Sequence, residues 1–172
     1  HMRKSLLILL LLPIAGAIAD SPLPPASRTI FESPSGKIEA ISDPKTGIQI
    51  RDTSTKKVLW RIPEWHRQVF VADDGVHAVT IYNGLNLLPV DYDPQTVLFT
   101  FWRDGTRVGD VTVARLVRTP ESLQRTESHF YWGDPIGIAG RSFRVRTADG
   151  AIQVYDLSTG TLNAEQGAAA NP

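Results

Sequence analysis

His66, His77 and His129 are the residues of this chain best suited to proton transfer or metal binding near neutral pH, because imidazole titrates there. Their spacing is not that of a zinc site, and the chain has no cysteine to add a thiolate. Ser128 and His129 are neighbours and Asp134 follows, which gathers the residue types of a nucleophile, a base and a supporting carboxylate. Neighbours on a strand point to opposite faces, which argues against a working pair there. Asp91 and Asp93 can share one side of a strand, and Asp73 stands beside Asp74. Such pairs attract calcium, but capping of turns accounts for all four more simply. The chain has no nucleophile elbow, no glycine-rich phosphate loop ending in Lys-Ser or Lys-Thr, and no paired glutamate signature. No catalytic residue, metal or cofactor is therefore expected. The rival reading is a small periplasmic hydrolase that assembles His66, His129 and an aspartate from separate strands.

Aromatic side chains offer a second kind of chemistry, recognition. Trp65 and His66 follow Pro63 in a polar stretch with Glu64, Arg67 and Gln68, so the segment is expected near the surface. Tryptophan supplies contact area at a low entropy cost. The competing role for Trp65 is a plug between adjacent sheets. His129-Phe130-Tyr131-Trp132 alternates as a strand, with His129 and Tyr131 on one face and Phe130 and Trp132 on the other, and one face must be core. Trp65, His66 and Tyr131 are the candidate partner-binding residues.

The elements that carry these residues follow a basic, apolar and small-residue start. Arg3 and Lys4 precede an apolar run from Leu6 to Ile18, and Ala17-Ile18-Ala19 offers a small-x-small cleavage site. The run is shorter than the roughly 20 residues that span a bilayer. It reads as a secretory signal peptide over residues 1–19, with His1 a cloning remnant before Met2 and Asp20 the mature N-terminus. Export makes the protein periplasmic or secreted, and cleavage leaves no stable membrane anchor. Without cysteine there is neither a lipid anchor site nor a disulfide, so the core must suffice alone. About 150 mature residues are enough for one such core. Without Arg3 and Lys4, sixteen basic residues face eighteen acidic ones, a net charge of −2. That balance gives no reason to expect nucleic acid or an anionic membrane as partner.

Residues 20–27, DSPLPPAS, form an extended Pro- and Ser-rich leader, and residues 163–172 a flexible tail. Between them, residues 28–162 are read as one all-β domain. The domain repeats itself. At an offset of 39, Ile30, Phe31 and Gly36 match Val69, Phe70 and Gly75, and Ile48, Val58 and Leu59 match Leu87, Val97 and Leu98. At an offset of 104, GIQIRDTSTKKV from Gly47 matches AIQVYDLSTGTL from Ala151, and Gly36 matches Gly140. Fixed offsets over many positions mark a true repeat. Each unit has a β-rich run with an aromatic, a turn such as Pro34-Ser35-Gly36 or Asp73-Asp74-Gly75, a returning strand, and a second hairpin, as at Asp52-Thr53-Ser54-Thr55. Each unit is thus about four short antiparallel strands.

This unit resembles a β-propeller blade. Ile152 to Leu162 is similar to the V-x-V-W-D-x-x-T-G-x-x-L of tryptophan–aspartate repeats, and Arg51 to Trp60 to the D-x-x-T-G-x-x-L-W of quinoprotein propellers, with Lys56 in place of glycine. Phe70 to Val76 resembles the quinoprotein F-S-P-D-G-K hairpin. The resemblance implies blade-like sheets that present surfaces to partners. The chain departs from it in uneven spacing, in lacking the Gly-His dipeptide, and in number: about three units fit, where a closed ring needs at least about four of roughly 40 residues each. An open blade stack, a β-sandwich of blade-like sheets, or a ring completed by other copies are the architectures left.

The longer second interval holds a helical insertion near 114–126: one turn over Ala114 to Val117, then a short helix over Ser122 to Thr126, with Thr119 as cap and Pro120 in the first position. Asp104-Gly105 marks another hairpin. Ile30, Phe31, Ile41, Val69, Phe70, Val79, Ile81, Leu98, Val145, Ile152 and Val154 are the expected core. The expected function is a non-catalytic binding or protein-interaction module of the bacterial envelope. Its partner would be another envelope or secreted protein, or a further copy of itself.

Overall fold

The computed structural model describes residues 22–163, so the expected signal peptide and all but the first residue of the expected tail lie outside the described residues. Local turn chemistry sets the hairpins. Gly36 (φ 74°) turns β1 (Thr29–Glu32) into β2 (Ile38–Asp43), and Gly75 (φ 68°) turns β5 (Val69–Val71) into β6 (His77–Ile81). Asp104 and Gly105, at φ 46° and 79°, join β8 (Val97–Arg103) to β9 (Thr106–Thr112). Two successive positive φ values are what a tight two-residue hairpin requires.

The fold is all-β, with 49% strand and 5% helix. The first sheet runs β1-β2-β3-β4, with β3 at Gly47–Asp52 and β4 at Val58–Ile62. The second runs β5-β6-β8-β9. The third is β12 (Gly133–Ala139), β13 (Ser142–Thr147) and β14 (Ile152–Asp156) in sequence order. A small fourth sheet, β10-β11-β7, joins Gln124–Arg125, His129–Tyr131 and Leu87–Pro89. Every pairing is antiparallel, and among the described residues the sheets close into neither barrel nor propeller.

The second sheet is the middle layer. Val69, Val71 and Ala78 pack with Ile38, Ala40, Ile48, Ile50, Trp60 and Ile62 of the first sheet. Phe70, Val79 and Ile81, which alternate with them, join a larger core around Phe99, Phe101, Trp132, Phe143 and Tyr155. Alternate residues of one strand thus serve two cores, which is why β6 reads apolar without a polar face. Phe99 meets Phe101, Phe143 and Tyr155 edge-on at 5.3–5.9 Å. Full burial of each such ring contributes about 1.5–3 kcal/mol, with further gain from the edge geometry.

The helical insertion is α1 (Val113–Leu116) and a single 3-10 turn over Pro120–Ser122, with Thr119 in the cap position. The helix expected over Ser122 to Thr126 does not form: Leu123 is buried, and Gln124 and Arg125 pair with Tyr131 and Phe130. Gly133-Asp134-Pro135, just after β11, begins β12. Pro135 is tolerated because β12 is an edge strand with a bulge between Pro135 and Gly137. Of the expected core, Ile30 is 44% exposed, since it lies on the outer face of an edge strand.

Candidate functional site

The linker from β4 to β5 carries Trp65 and His66, and the two side chains face different ways. Ser42, wholly buried on β2, donates its hydroxyl to the His66 carbonyl at 2.6 Å and accepts from the His66 N–H at 3.1 Å. His66 Nδ1 lies 2.9 Å from the Ile81 carbonyl at the end of β6. A carbonyl only accepts, so Nδ1 carries the proton. His66 therefore ties the first sheet to the second. Trp65 turns outward and donates from Nε1 to the Ser27 carbonyl of the leader at 3.1 Å. Arg67 lies over the Trp65 ring at 5.2 Å and donates from Nη1 to the Pro24 carbonyl at 2.8 Å. Asn83 fixes both residues. Its Oδ1 accepts from the Arg67 N–H, its carbonyl from Arg67 Nε, and its Nδ2 donates to the Trp65 carbonyl.

Beside this linker is a cleft of about 520 Å³, lined by Pro22 and Leu23 of the leader, Tyr82, Gly84, Leu87 and Pro89 of the segment after β6, and His129 of β11. The segment is shaped by two local features. A Cβ at Gly84 would stand 2.2 Å from the Tyr82 ring, so the ring occupies space that only a glycine leaves open. Leu85 takes φ 56°, a conformation that costs a β-carbon about 1–2 kcal/mol. Buried Trp132 holds this strained turn, donating from Nε1 to the Leu85 carbonyl at 2.8 Å and from its backbone N–H to the Asn86 carbonyl at 3.1 Å. Strain that the surroundings hold in place is characteristic of binding segments.

Tyr131 lies on β11, opposite Leu87, and donates its hydroxyl to Asp134 Oδ2 at 2.5 Å. Its phenol is pushed up to about 12, first by burial and then by the Asp134 carboxylate, so it stays protonated. The linker thus brings Trp65 and His66 together, while Tyr131 belongs to the fourth sheet that carries His129.

The three histidines have separate partners. His66 is on Ile81. His77 Nδ1 is 2.7 Å from Asp74 Oδ2. His129 Nδ1 is 2.8 Å from Ser128 Oγ. The alternation expected to separate Ser128 from His129 does not apply, because Ser128 precedes β11 in a bend. Asp134, the carboxylate expected behind them, is engaged by Tyr131 and by Asn86 Nδ2 at 3.2 Å. Asp73 accepts from the backbone and hydroxyl of Ser35, and Asp93 from the Gln95 N–H. Among the described residues, no group of three or more histidine, aspartate or glutamate side chains is placed to hold a metal. Among them, too, no helix is long and apolar enough to cross a membrane.

Arg67, Tyr82, Asn83, Gly84 and Leu87 were not among the candidates read from sequence. The Asn83-Gly84 dipeptide, a turn signal between two apolar runs, was the clue available. The chain matches no protein-family model and no curated protein.

Proposed function

We propose that this protein is an exported, non-catalytic interaction module of the bacterial envelope. The observation that carries this reading is the cleft beside the Trp65 linker. Its walls are mainly apolar, and the segment that carries Tyr82, Gly84 and Leu87 into them holds Leu85 in a costly backbone shape. Such a concave apolar site with a few fixed polar groups suits a ligand or peptide contact. In this reading Trp65 forms the rim, His66 sets the path of the linker, and Tyr131 supports the wall that bears His129. The partner is another envelope or secreted protein, or a second copy.

Half-buried Leu87 gives the test. Tagged mature protein, with Asp20 at its N-terminus by intact mass, is expected to retain one defined protein from its own envelope extract. Leu87→Lys is expected to lose that protein while its stability changes by less than about 1 kcal/mol. Equal retention by both would overturn the reading.

The second reading is a hydrolase favoured by the Ser128–His129 contact at the cleft, without the His66 expected to join His129, since His66 is held on the Ile81 carbonyl. It requires a fluorophosphonate to label Ser128 and His129→Ala to abolish the label. Absence of labelling removes it.

A further inference from the structure

We infer that the surface under residues 22–27 is a receptor for proline-rich extended segments, and that the protein's own leader is its resident occupant. This deepens the interaction-module reading and rests on it.

The chemistry of the contact is one-sided. Proline has no N–H, so a proline-rich segment presents its backbone chiefly as carbonyl acceptors. The side chains that hydrogen-bond to its carbonyls act as donors only: the Trp65 indole N–H and the Arg67 guanidinium. They take the carbonyls of Pro24 and Ser27, three residues apart. A polyproline II helix has three residues per turn and no internal hydrogen bonds, so carbonyls three apart face the same way. The leader, Pro22-Leu23-Pro24-Pro25-Ala26-Ser27, has no secondary structure of its own over these residues. Two donors two residues apart in the linker thus read one face of a period-three ligand.

The receptor side is built independently of the occupant. Asn83 grips Arg67 at its backbone N–H and at Nε, and also holds the Trp65 carbonyl, while Arg67 stacks on the Trp65 ring. Asn83 is a positioning residue, since it acts by orienting both donors. Next to the donors, Pro22 and Leu23 line one apolar cleft together with Tyr82, Leu87, Pro89 and His129. Aromatic-lined grooves that dock extended proline segments use this combination of a ring, a donor and an apolar slot.

The occupant is held loosely. Residues 22–28 are all exposed, and Leu23 keeps 44% of its surface in solvent. The leader stays in place because its tether makes its effective concentration high, in the millimolar range for short linkers. A partner segment with more contacts, or one present in several copies, can displace it. The leader is then an internal competitor that sets the threshold for capture.

The test uses the full mature chain and the synthetic peptide DSPLPPASR, the sequence of residues 20–28, as probe. Binding is read on the Trp65 indole N–H resonance, assigned with Trp65→Phe. In a Pro24→Gly/Pro25→Gly chain the internal competitor is weakened, and the peptide is expected to bind at least tenfold more tightly than to the unaltered chain. Arg67→Ala in that background is expected to weaken binding at least tenfold, at an unchanged fold by amide spectrum. A peptide with its three prolines replaced by alanine is expected to bind at least tenfold more weakly. Equal Kd for the unaltered and leader-weakened chains would overturn the competitor role. Equal binding of the alanine peptide would overturn the ligand class, while capture of an envelope partner through Leu87 would still stand. No response of the Trp65 resonance in the leader-weakened chain would overturn the receptor itself.

Discussion

The first and second sheets begin alike and part company at their third strand. In both, an aromatic-bearing strand, a glycine turn and a returning strand pair in antiparallel register, Phe31 opposite Ala40 and Phe70 opposite Val79. In the first sheet the next strand, β3, pairs straight back onto β2. In the second sheet the segment at the same offset, β7, leaves to pair with β11, and β8 takes the place beside β6. The diverted segment is the one that lines the cleft. The candidate site therefore arises where the repeat is broken, and the regular sheet beside it is structural support. The other offset, 104, keeps its geometry: the Asp52 and Asp156 turns share the same backbone bonds and the same positive φ four residues on, at Lys56 and Gly160.

Trp132→Ala attacks the point of divergence and has the largest expected effect. Trp132 is fully buried and holds the Leu85 and Asn86 carbonyls. Truncation is expected to cost about 3–5 kcal/mol by chemical denaturation, the range for a buried large aromatic. A loss below about 1 kcal/mol would mean the diverted segment holds itself.

Gly160→Ala addresses the turn that the repeat conserves. A Cβ there would lie 2.8 Å from the buried Phe101 ring and 3.3 Å from Gly109 Cα, at φ 68°. Overpacking and the left-handed backbone together are expected to cost about 2–4 kcal/mol.

The hairpins were legible in the sequence because their causes are local. Gly36, Gly75 and Asp104-Gly105 need only their own backbone freedom, and the Asp52 and Asp156 turns only side chains two or three residues away. Strand alternation put Phe130 and Trp132 on one face but left open which face is core; the structure makes it theirs, with Trp132 fully buried and Phe130 packed against the larger core. The cleft was not legible, because it depends on which strand β7 chooses. Leu87-Leu88-Pro89 aligns with Ile48-Gln49-Ile50 as a short β-rich run, and β character does not name a partner. Ile30 misled for the same reason: an apolar residue on an edge strand has no second sheet to cover it. Trp65 stood out as an aromatic in a polar stretch, but its partner Ser27 is 38 residues earlier, and nothing in the spacing links the two.

The matched hairpins also differ in what they bury. Glu39 of β2 is 4% exposed, and the residue at the same offset in β6 is Ala78. Burial pushes the Glu39 carboxyl up, but hydrogen bonds and charge from Arg51 and Lys56 outweigh it and hold the group below the ordinary range. A carboxylate depressed in the folded state contributes stability above its unfolded value of about 4.3, and that contribution is lost as pH falls through the folded value. Glu39→Gln is expected to cost about 1–3 kcal/mol at pH 7, since Arg51 keeps some access to water. The gap between the two proteins is expected to close as pH falls below about 4. A gap independent of pH would mean that Glu39 acts by shape and not by charge.

Lys56→Gly is the smallest effect and the sharpest comparison with Gly160. Lys56 has φ 61°, where the matching turn has glycine at 68°. A residue with a β-carbon pays about 1–2 kcal/mol there, and glycine removes that cost. Two terms oppose the gain. Glycine loses roughly 0.5–1 kcal/mol more backbone entropy on folding. The substitution also deletes the contact from Lys56 Nζ to Glu39 at 3.3 Å, but the lysine is more than half exposed, and such pairs are worth about 0–1 kcal/mol. The balance is a gain of up to about 1 kcal/mol, opposite in sign to Gly160→Ala in the same turn geometry. A loss greater than about 1 kcal/mol would show that lysine is kept at position 56 for Glu39, and that the first sheet spends turn strain to hold its buried carboxylate.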